Sequence, residues 1–390
     1  MGSPVRDVAV VGAGPVGAMT ARLLAERGHD VVVLEEHQEP GRPVHCTGLL
    51  GADAFDEFDL PRDTILGFTS AARFWSADGR SVLVESDRVK ATVIDRVRFD
   101  QHLTGQAASA GADIRIGHRV ERLVVEPHRV LIEVENGETV EARACVLACG
   151  ANYRFHHQLG LGVPQAYMRS AQVETPFPAA AHVQVRLGRE TAPDGFAWLV
   201  PFNRGTESYA RIGLMCNADS RRHFEAFVRT LCEEAGVDPA TVPAPVLKML
   251  PLAPVSKTFA SRVLAVGDAA GLVKPTTGGG IYYGLLSGAI AADVLDSALQ
   301  RDRLGESELG RYERQWRKRL GSELRMALAF RHMAERLDDA AINAVVELAR
   351  VNGVVPLLRD TASFNWHRKA LVSLMSHAEF RGIVIRALCA

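Results

Sequence analysis

Three stretches of the chain carry residue types at spacings that bind a dinucleotide and let it do redox chemistry. The first is Val8-Ala-Val-Val11-Gly12-Ala-Gly14-Pro15-Val16-Gly17, followed by the apolar run Val31-Val-Val-Leu34, which ends on Glu35 and Glu36. Gly12 permits a tight turn, Gly14 lets a diphosphate approach the backbone, and Gly17 lets a helix pack closely on the strand. The phosphates then meet the positive end of that helix. Glu35, with Glu36 beside it as the alternative, is placed to accept from ribose hydroxyls. The plainer reading is a glycine-rich turn in an ordinary βα unit, but strand, helix and acid all stand in the expected order.

The second stretch, Val263-Leu-Ala-Val-Gly267-Asp268-Ala-Ala-Gly271, runs another apolar strand into an Asp. It then passes through Lys274-Pro-Thr-Thr277-Gly278-Gly279-Gly280-Ile281 into a helix. An Asp at a strand end can accept from ribityl hydroxyls, and a helix N-terminus beyond it can hold negative charge on the pyrimidine end of a reduced flavin. NAD has no ribityl chain to meet such an Asp. The third stretch, Asp95-Arg96-Val-Arg98-Phe99-Asp100, opens a helix with a basic residue able to reach the cofactor. Alone, Asp268 could be a plain N-cap. In this order the set reads as FAD, with Val120 counted among the cofactor residues.

These residues need strands and helices to hold them. We expect an α/β chain: a Rossmann-type FAD-binding domain in three pieces (1–67, 90–165 and 255–300), an inserted antiparallel β-sheet substrate domain (68–89 and 166–254), and a C-terminal helical region (301–390). The middle pieces read as strands because apolar and polar residues alternate, as in His182-Val-Gln-Val-Arg186 and Tyr209-Ala-Arg-Ile-Gly-Leu214. Cys145 and Cys149 are expected on one face of a strand, as buried packing residues. His156-His157 is read as surface or capping, and Asp338-Asp339 as a helix opening rather than a cation site.

Composition narrows the classes. A chain of 390 residues with formal net charge −1 and no basic block is not expected to bind nucleic acid. Six scattered Cys show no paired metal spacing, so no metal site is expected and a reducing cytosol is. No run of eighteen apolar residues occurs, and a strand begins almost at once, so neither a spanning helix nor a signal peptide is expected. The expected location is cytoplasmic, with at most peripheral membrane contact.

The chain resembles the geranylgeranyl reductase family, within the FAD-dependent oxidoreductases of the hydroxybenzoate-hydroxylase fold. The resemblance rests on Gly12 to Gly17, Asp95-Arg96-x-x-Phe99-Asp100, Gly267 to Gly271, and Thr277-Gly-Gly-Gly-Ile281 with Ser287-Gly288. It also rests on Pro193-Asp-Gly-Phe196-Ala-Trp198-Leu-Val200-Pro201, where Phe196 and Val200 replace the family's usual Tyr and Phe. It weakens after about residue 340. The resemblance implies that the loop Gly41-Arg-Pro-Val-His45-Cys46-Thr-Gly48 reaches the flavin, with Cys46 as proton donor, redox partner or packing.

The implied reaction reduces isolated double bonds of an isoprenoid chain. Flavin supplies hydride to one carbon and an acid protonates the other: Cys46, His45, Tyr282, Tyr283 or a water. Phe196 and Trp198, two apart on a strand, would line a long apolar substrate, or would simply be core. NAD(P)H, ferredoxin or a reduced quinone could supply electrons. A monooxygenase of the same fold acting on a small apolar or aromatic molecule is the alternative. An electron-transfer dehydrogenase with a four-cysteine cluster is excluded, since only Cys389 follows Cys232.

Overall fold

The computed structural model describes residues 4–351, 354–356 and 363–389. The chain opens with β1 (Arg6–Val11), α1 (Pro15–Ala25), β2 (Val31–Glu35), β3 (Leu49–Gly51) and α2 (Ala54–Glu57). Next come β4 (Ile65–Thr69), β5 (Ala71–Trp75), β6 (Ser81–Glu85), β7 (Ala91–Ile94), α3 (Arg96–Ser109), β8 (Asp113–Ile116), β9 (Val120–Val125), β10 (Val130–Val134) and β11 (Thr139–Leu147). The second half holds β12 (Tyr167–Pro176), β13 (Val183–Arg186), β14 (Phe196–Arg204), β15 (Glu207–Cys216), α4 (Ser220–Ala235), β16 (Val246–Pro251), β17 (Phe259–Ala260) and β18 (Val263–Ala265). Helices finish it: α5 (Ile281–Gln300), α6 (Glu306–Ala334), α7 (Asp339–Val351), α8 (Arg368–Ser376) and α9 (Ala378–Cys389).

An eight-stranded sheet is built on the order β17-β18-β11-β1-β2-β8, with the β9–β10 hairpin added at β11. Its centre is parallel: β1 pairs with both β2 and β11, and β11 with β18. Every residue of β2 is buried, as strands covered on both faces must be. The close fit of α1 to β1 and α5 is a matter of small residues. A Cβ on Gly17 would lie 2.0 Å from the Gly12 carbonyl oxygen, and one on Gly284 would lie 2.5 Å from a Val16 methyl.

The second sheet has seven strands in the order β16-β12-β15-β14-β13-β5-β6, antiparallel except where β13 runs parallel to β5. One face is covered by α4, whose Phe224, Phe227, Val228 and Leu231 pack with Ala171, Leu199, Ile212 and Leu214. Those four residues follow helical spacing, and Asp219 caps the helix by accepting from the amides of Arg221 and Arg222. The sequence reading, which took 166–254 as strands, missed this helix. The other face gathers Met168, Trp198, Val200, Phe202 and Met215 with Val93. Val93 belongs to the small sheet β3-β7-β4, which joins the two larger ones.

Two expectations need correcting. Strand β11 stops at Leu147, and Cys149 lies beyond it, its thiol donating to the Asn152 carbonyl at 3.3 Å. It therefore shares no strand face with Cys145. The chain turns there because it must cross Gly12, where a Cβ would sit 2.5 Å from the Ala148 oxygen. His156 is wholly buried rather than on the surface, and it donates from Nε2 to the Ala269 carbonyl at 2.7 Å. Asp338 does open a helix, accepting from the Ala341 amide at 2.8 Å.

Candidate active site at the junction of the sheets

The N-terminus of α1 is a cradle for negative charge. Gly14 occupies its N-cap with no side-chain cap, Pro15 follows, and no acid stands in the first turn. A Cβ on Gly14 would meet nothing within 4 Å, whereas Gly12, at φ 105°, is pinned by contact with Ala148. The first-turn amides are thus left for an anion. Glu35 is buried at the end of β2, where one carboxylate oxygen accepts from the Ala13 amide at 2.7 Å. The other accepts from the His37 amide at 3.0 Å. Glu36 is exposed, 3.6 Å from Arg119, so the two adjacent acids separate cleanly. Val16 packs between α1 and α5, while the Val120 side chain is core and its carbonyl accepts from Arg154 at 3.2 Å.

Across the cleft, burial raises the Asp268 carboxyl above its ordinary range, with the Arg96 cation opposing. Arg96 itself grips Asp100 through two bonds of 3.0 and 2.7 Å. The Asp268 backbone is held by residues that the sequence reading did not assign there. Tyr153 donates to the Asp268 carbonyl at 2.8 Å, and His156 to that of Ala269. Asp268 itself lies against the glycine run, since a Cβ on Gly280 would be 2.5 Å from its Oδ1. Gly280 caps α5, again with no side-chain cap, directly before Ile281.

Beneath Thr277, Gly278 and Gly279 lies Lys274, buried, its Nζ donating to the Phe364 carbonyl at 2.8 Å. Burial pulls this ammonium down to about 7, Asp53 and Glu323 opposing. The segment around Phe364 is bound to the loop from the far end of the chain. His367 meets Thr276 at 2.6 Å, and Asn365 donates to Asp53 at 2.5 Å. Lys274 was quoted in the motif, but nothing in its neighbours along the chain signals this partner.

The loop bearing Cys46 enters between α3 and the seven-stranded sheet. Its sulfur accepts from the Gly48 amide at 3.3 Å and interacts with Arg96. Thr47 donates to Gln172 at 2.6 Å, and the same Gln172 oxygen accepts from Trp198 at 3.3 Å. Phe196 and Trp198 do share a face, with ring centroids 5.7 Å apart. Leu250 and Met215 continue that face to the glycine run, 3.1 and 3.4 Å from where a Gly278 Cβ would stand. Trp198 and Met215 are buried in this apolar cluster, and Gln172 ties the Cys46 loop to it.

The other candidate acids are differently placed. The His45 side chain is exposed, its Nδ1 3.1 Å from the Pro43 carbonyl. Tyr282 donates to Glu57 at 2.6 Å and packs on Phe58 and Trp366. Burial raises both Tyr282 and Tyr283, and both belong to the core of the larger sheet rather than to the apolar cleft face. No group of three metal-ligating side chains exists among the described residues.

The family described as lycopene cyclase protein matches residues 7–344. A digeranylgeranylglycerophospholipid reductase of Methanopyrus kandleri is 30% identical over 90% of this chain and 92% of its own length. The chain belongs to the geranylgeranyl reductase family. Its fold is that of a geranylgeranyl bacteriochlorophyll reductase-like protein from Thermoplasma acidophilum, at TM-score 0.84 and 22% identity over 99% of both chains. A halogenase solved in complex with FAD shares the fold at TM-score 0.70 and 16% identity, covering 98% of this chain and 86% of the other. As in that family, the chain is an FAD-dependent oxidoreductase. Its residues fit the cofactor: an uncapped α1 N-terminus open at Gly14, a half-buried carboxylate at Asp268, and a second uncapped helix after Gly280.

Proposed function

We propose that the protein reduces isolated double bonds in the isoprenoid chain of a lipid. The observation that carries this reading is the apolar face of Phe196, Trp198, Met215 and Leu250, which reaches the glycine run at Gly278 and is tied to the Cys46 loop through Gln172. It suits a long hydrocarbon laid beside the cofactor, and its polar atoms, such as Gln172, are tied up within the protein.

FAD, when bound, supplies the hydride. Gly12 and Gly14 would hold its diphosphate, with Gly17 letting the helix approach, Glu35 would hold the ribose edge, Asp268 and Arg96 the ribityl side, and Thr277 to Ile281 the pyrimidine end. The apolar face excludes water and aligns the alkene. Cys46 gives its S–H proton to the second carbon, leaving a thiolate that regains a proton from solvent. Exposed His45, held at the Pro43 carbonyl, and Tyr282, which donates to Glu57, are poorer donors. Electrons come from NAD(P)H or ferredoxin, and the substrate draws the protein to a membrane surface from the cytoplasm.

The test is to reduce the flavoprotein anaerobically and offer geranylgeranyl diphosphate, a digeranylgeranylglycerol phospholipid, a prenylquinone and a small aromatic in turn. Flavin reoxidation by a prenyl compound without oxygen is expected. Reoxidation only with oxygen and the aromatic would instead make it a monooxygenase. Reducing the flavin with NADPH, NADH or ferredoxin identifies the donor.

A further inference from the structure

Cys46 stands among more charge than a thiol in an apolar cleft requires. Arg211 of β15 is wholly buried, and burial pulls its guanidinium below the ordinary range. Its Nε donates to Glu174 at 2.9 Å, and its Nη1 to the carbonyls of Thr47 at 2.7 Å and Ile94 at 2.9 Å. Its carbon centre lies 4.9 Å over the Phe202 ring. Nη2 has no hydrogen-bond partner. Burying a guanidinium costs several kcal/mol unless its donors are used, and Nη2 leaves one of these donors unused.

The Thr47 bond places Arg211 one peptide from Cys46, whose charge is among those it feels. Arg96 meets the same sulfur from α3, but Asp100 answers its charge through two bonds. Glu174 is divided between Arg211 and Arg204, and Arg204 also reaches Asp95 at 2.7 Å. His45, on the same loop, meets the Pro43 carbonyl at 3.1 Å instead. Of the three arginines, Arg211 alone keeps an unanswered donor.

We propose that Arg211 is the positioning residue for Cys46: it holds the loop through Thr47 and stabilises the sulfur as a thiolate once its proton has left. This rests on the reading of Cys46 as the proton donor. No bond forms or breaks at Arg211 itself.

The test is the pH dependence of Cys46 alkylation by iodoacetamide in the FAD-loaded protein, followed on the Cys46 peptide by mass spectrometry. Removing an opposite charge within about 4–6 Å of a thiol moves its midpoint by roughly 1–3 pH units. Arg211→Met should raise the midpoint by about that much, and Arg211→Lys should restore most of it. Glu174→Gln, which strips the countercharge, should lower it. A midpoint unchanged in folded Arg211→Met overturns the proposal. If that variant does not fold, an unmoved or raised midpoint in Glu174→Gln overturns it instead. Alkylation needs no turnover, so a Cys46→Ser variant with normal turnover would sink the proton-donor reading without touching this measurement.

Discussion

Replacing Lys274 by Met should stabilise the protein at neutral pH and flatten its response to alkali. Burial penalises the charge of the folded ammonium and pulls it down to about 7 from the ordinary 10.5. At about 1.4 kcal/mol for each pH unit between those values, the fully charged form costs the fold about 5 kcal/mol, and about 4 kcal/mol at pH 7. Between pH 7 and 10.5 the unfolded chain carries this proton and the folded one sheds it, so stability rises with pH across that window. Below pH 7 both carry it and the penalty is constant. Met forfeits the bond to the Phe364 carbonyl, which His367 still reaches at 3.0 Å, and the contact of Nζ with the Phe364 ring at 4.4 Å. That loss is about 1–2 kcal/mol. The net gain is then about 2–3 kcal/mol at pH 7, shrinking to near zero by pH 9. Urea unfolding of both proteins at pH 6, 7, 8 and 9 measures it. Parallel curves from pH 7 to 9 would refute the assigned titration.

Glu35→Ala should weaken FAD about 10- to 100-fold, since it removes a charged acceptor that braces the Ala13 amide. Glu36→Ala should leave affinity unchanged. Flavin fluorescence quenching on titrating apoprotein decides between them. Gly17→Ala should abolish flavin incorporation, because its Cβ would be driven against the Gly12 backbone, and the flavin absorbance of purified protein reports it. Cys46→Ser should keep its FAD but slow anaerobic reoxidation by a prenyl substrate about 10²- to 10⁴-fold. Cys149→Ser, outside the cleft, should leave that stopped-flow rate intact.

The parts of the site legible in the sequence were those encoded by local spacing. The glycines from Gly12 to Gly17 and the run into α5 could be read because each needs a particular backbone within a few residues. The shared face of Phe196 and Trp198 follows from strand period alone. What could not be read was contributed across long separations. Arg211 meets the Thr47 carbonyl from another sheet, and His156 supports Ala269 from a loop 113 residues earlier. Helix α4 was a different kind of miss: its period was visible at Phe224, Phe227, Val228 and Leu231, but the alternating runs on either side drew the segment into the strands. Cys149 was misplaced because an apolar run does not say where its strand ends. That boundary is set by Gly12, far away in the chain.

The contacts of Phe364, Asn365 and His367 with Lys274, Asp53 and Thr276 bear on the order in which this enzyme comes to life. Synthesis delivers β1, β2, β11 and β18 in turn, so the nucleotide half of the molecule can assemble while the chain is still on the ribosome. The loop from Lys274 to Gly280 gains its clamp only when residues some ninety positions further along the chain have been made. Closure of the loop from Lys274 to Gly280 therefore follows assembly of the nucleotide half. A carboxyl-terminal truncation would yield a protein able to grip the adenosine part of its cofactor while leaving the ring poorly held.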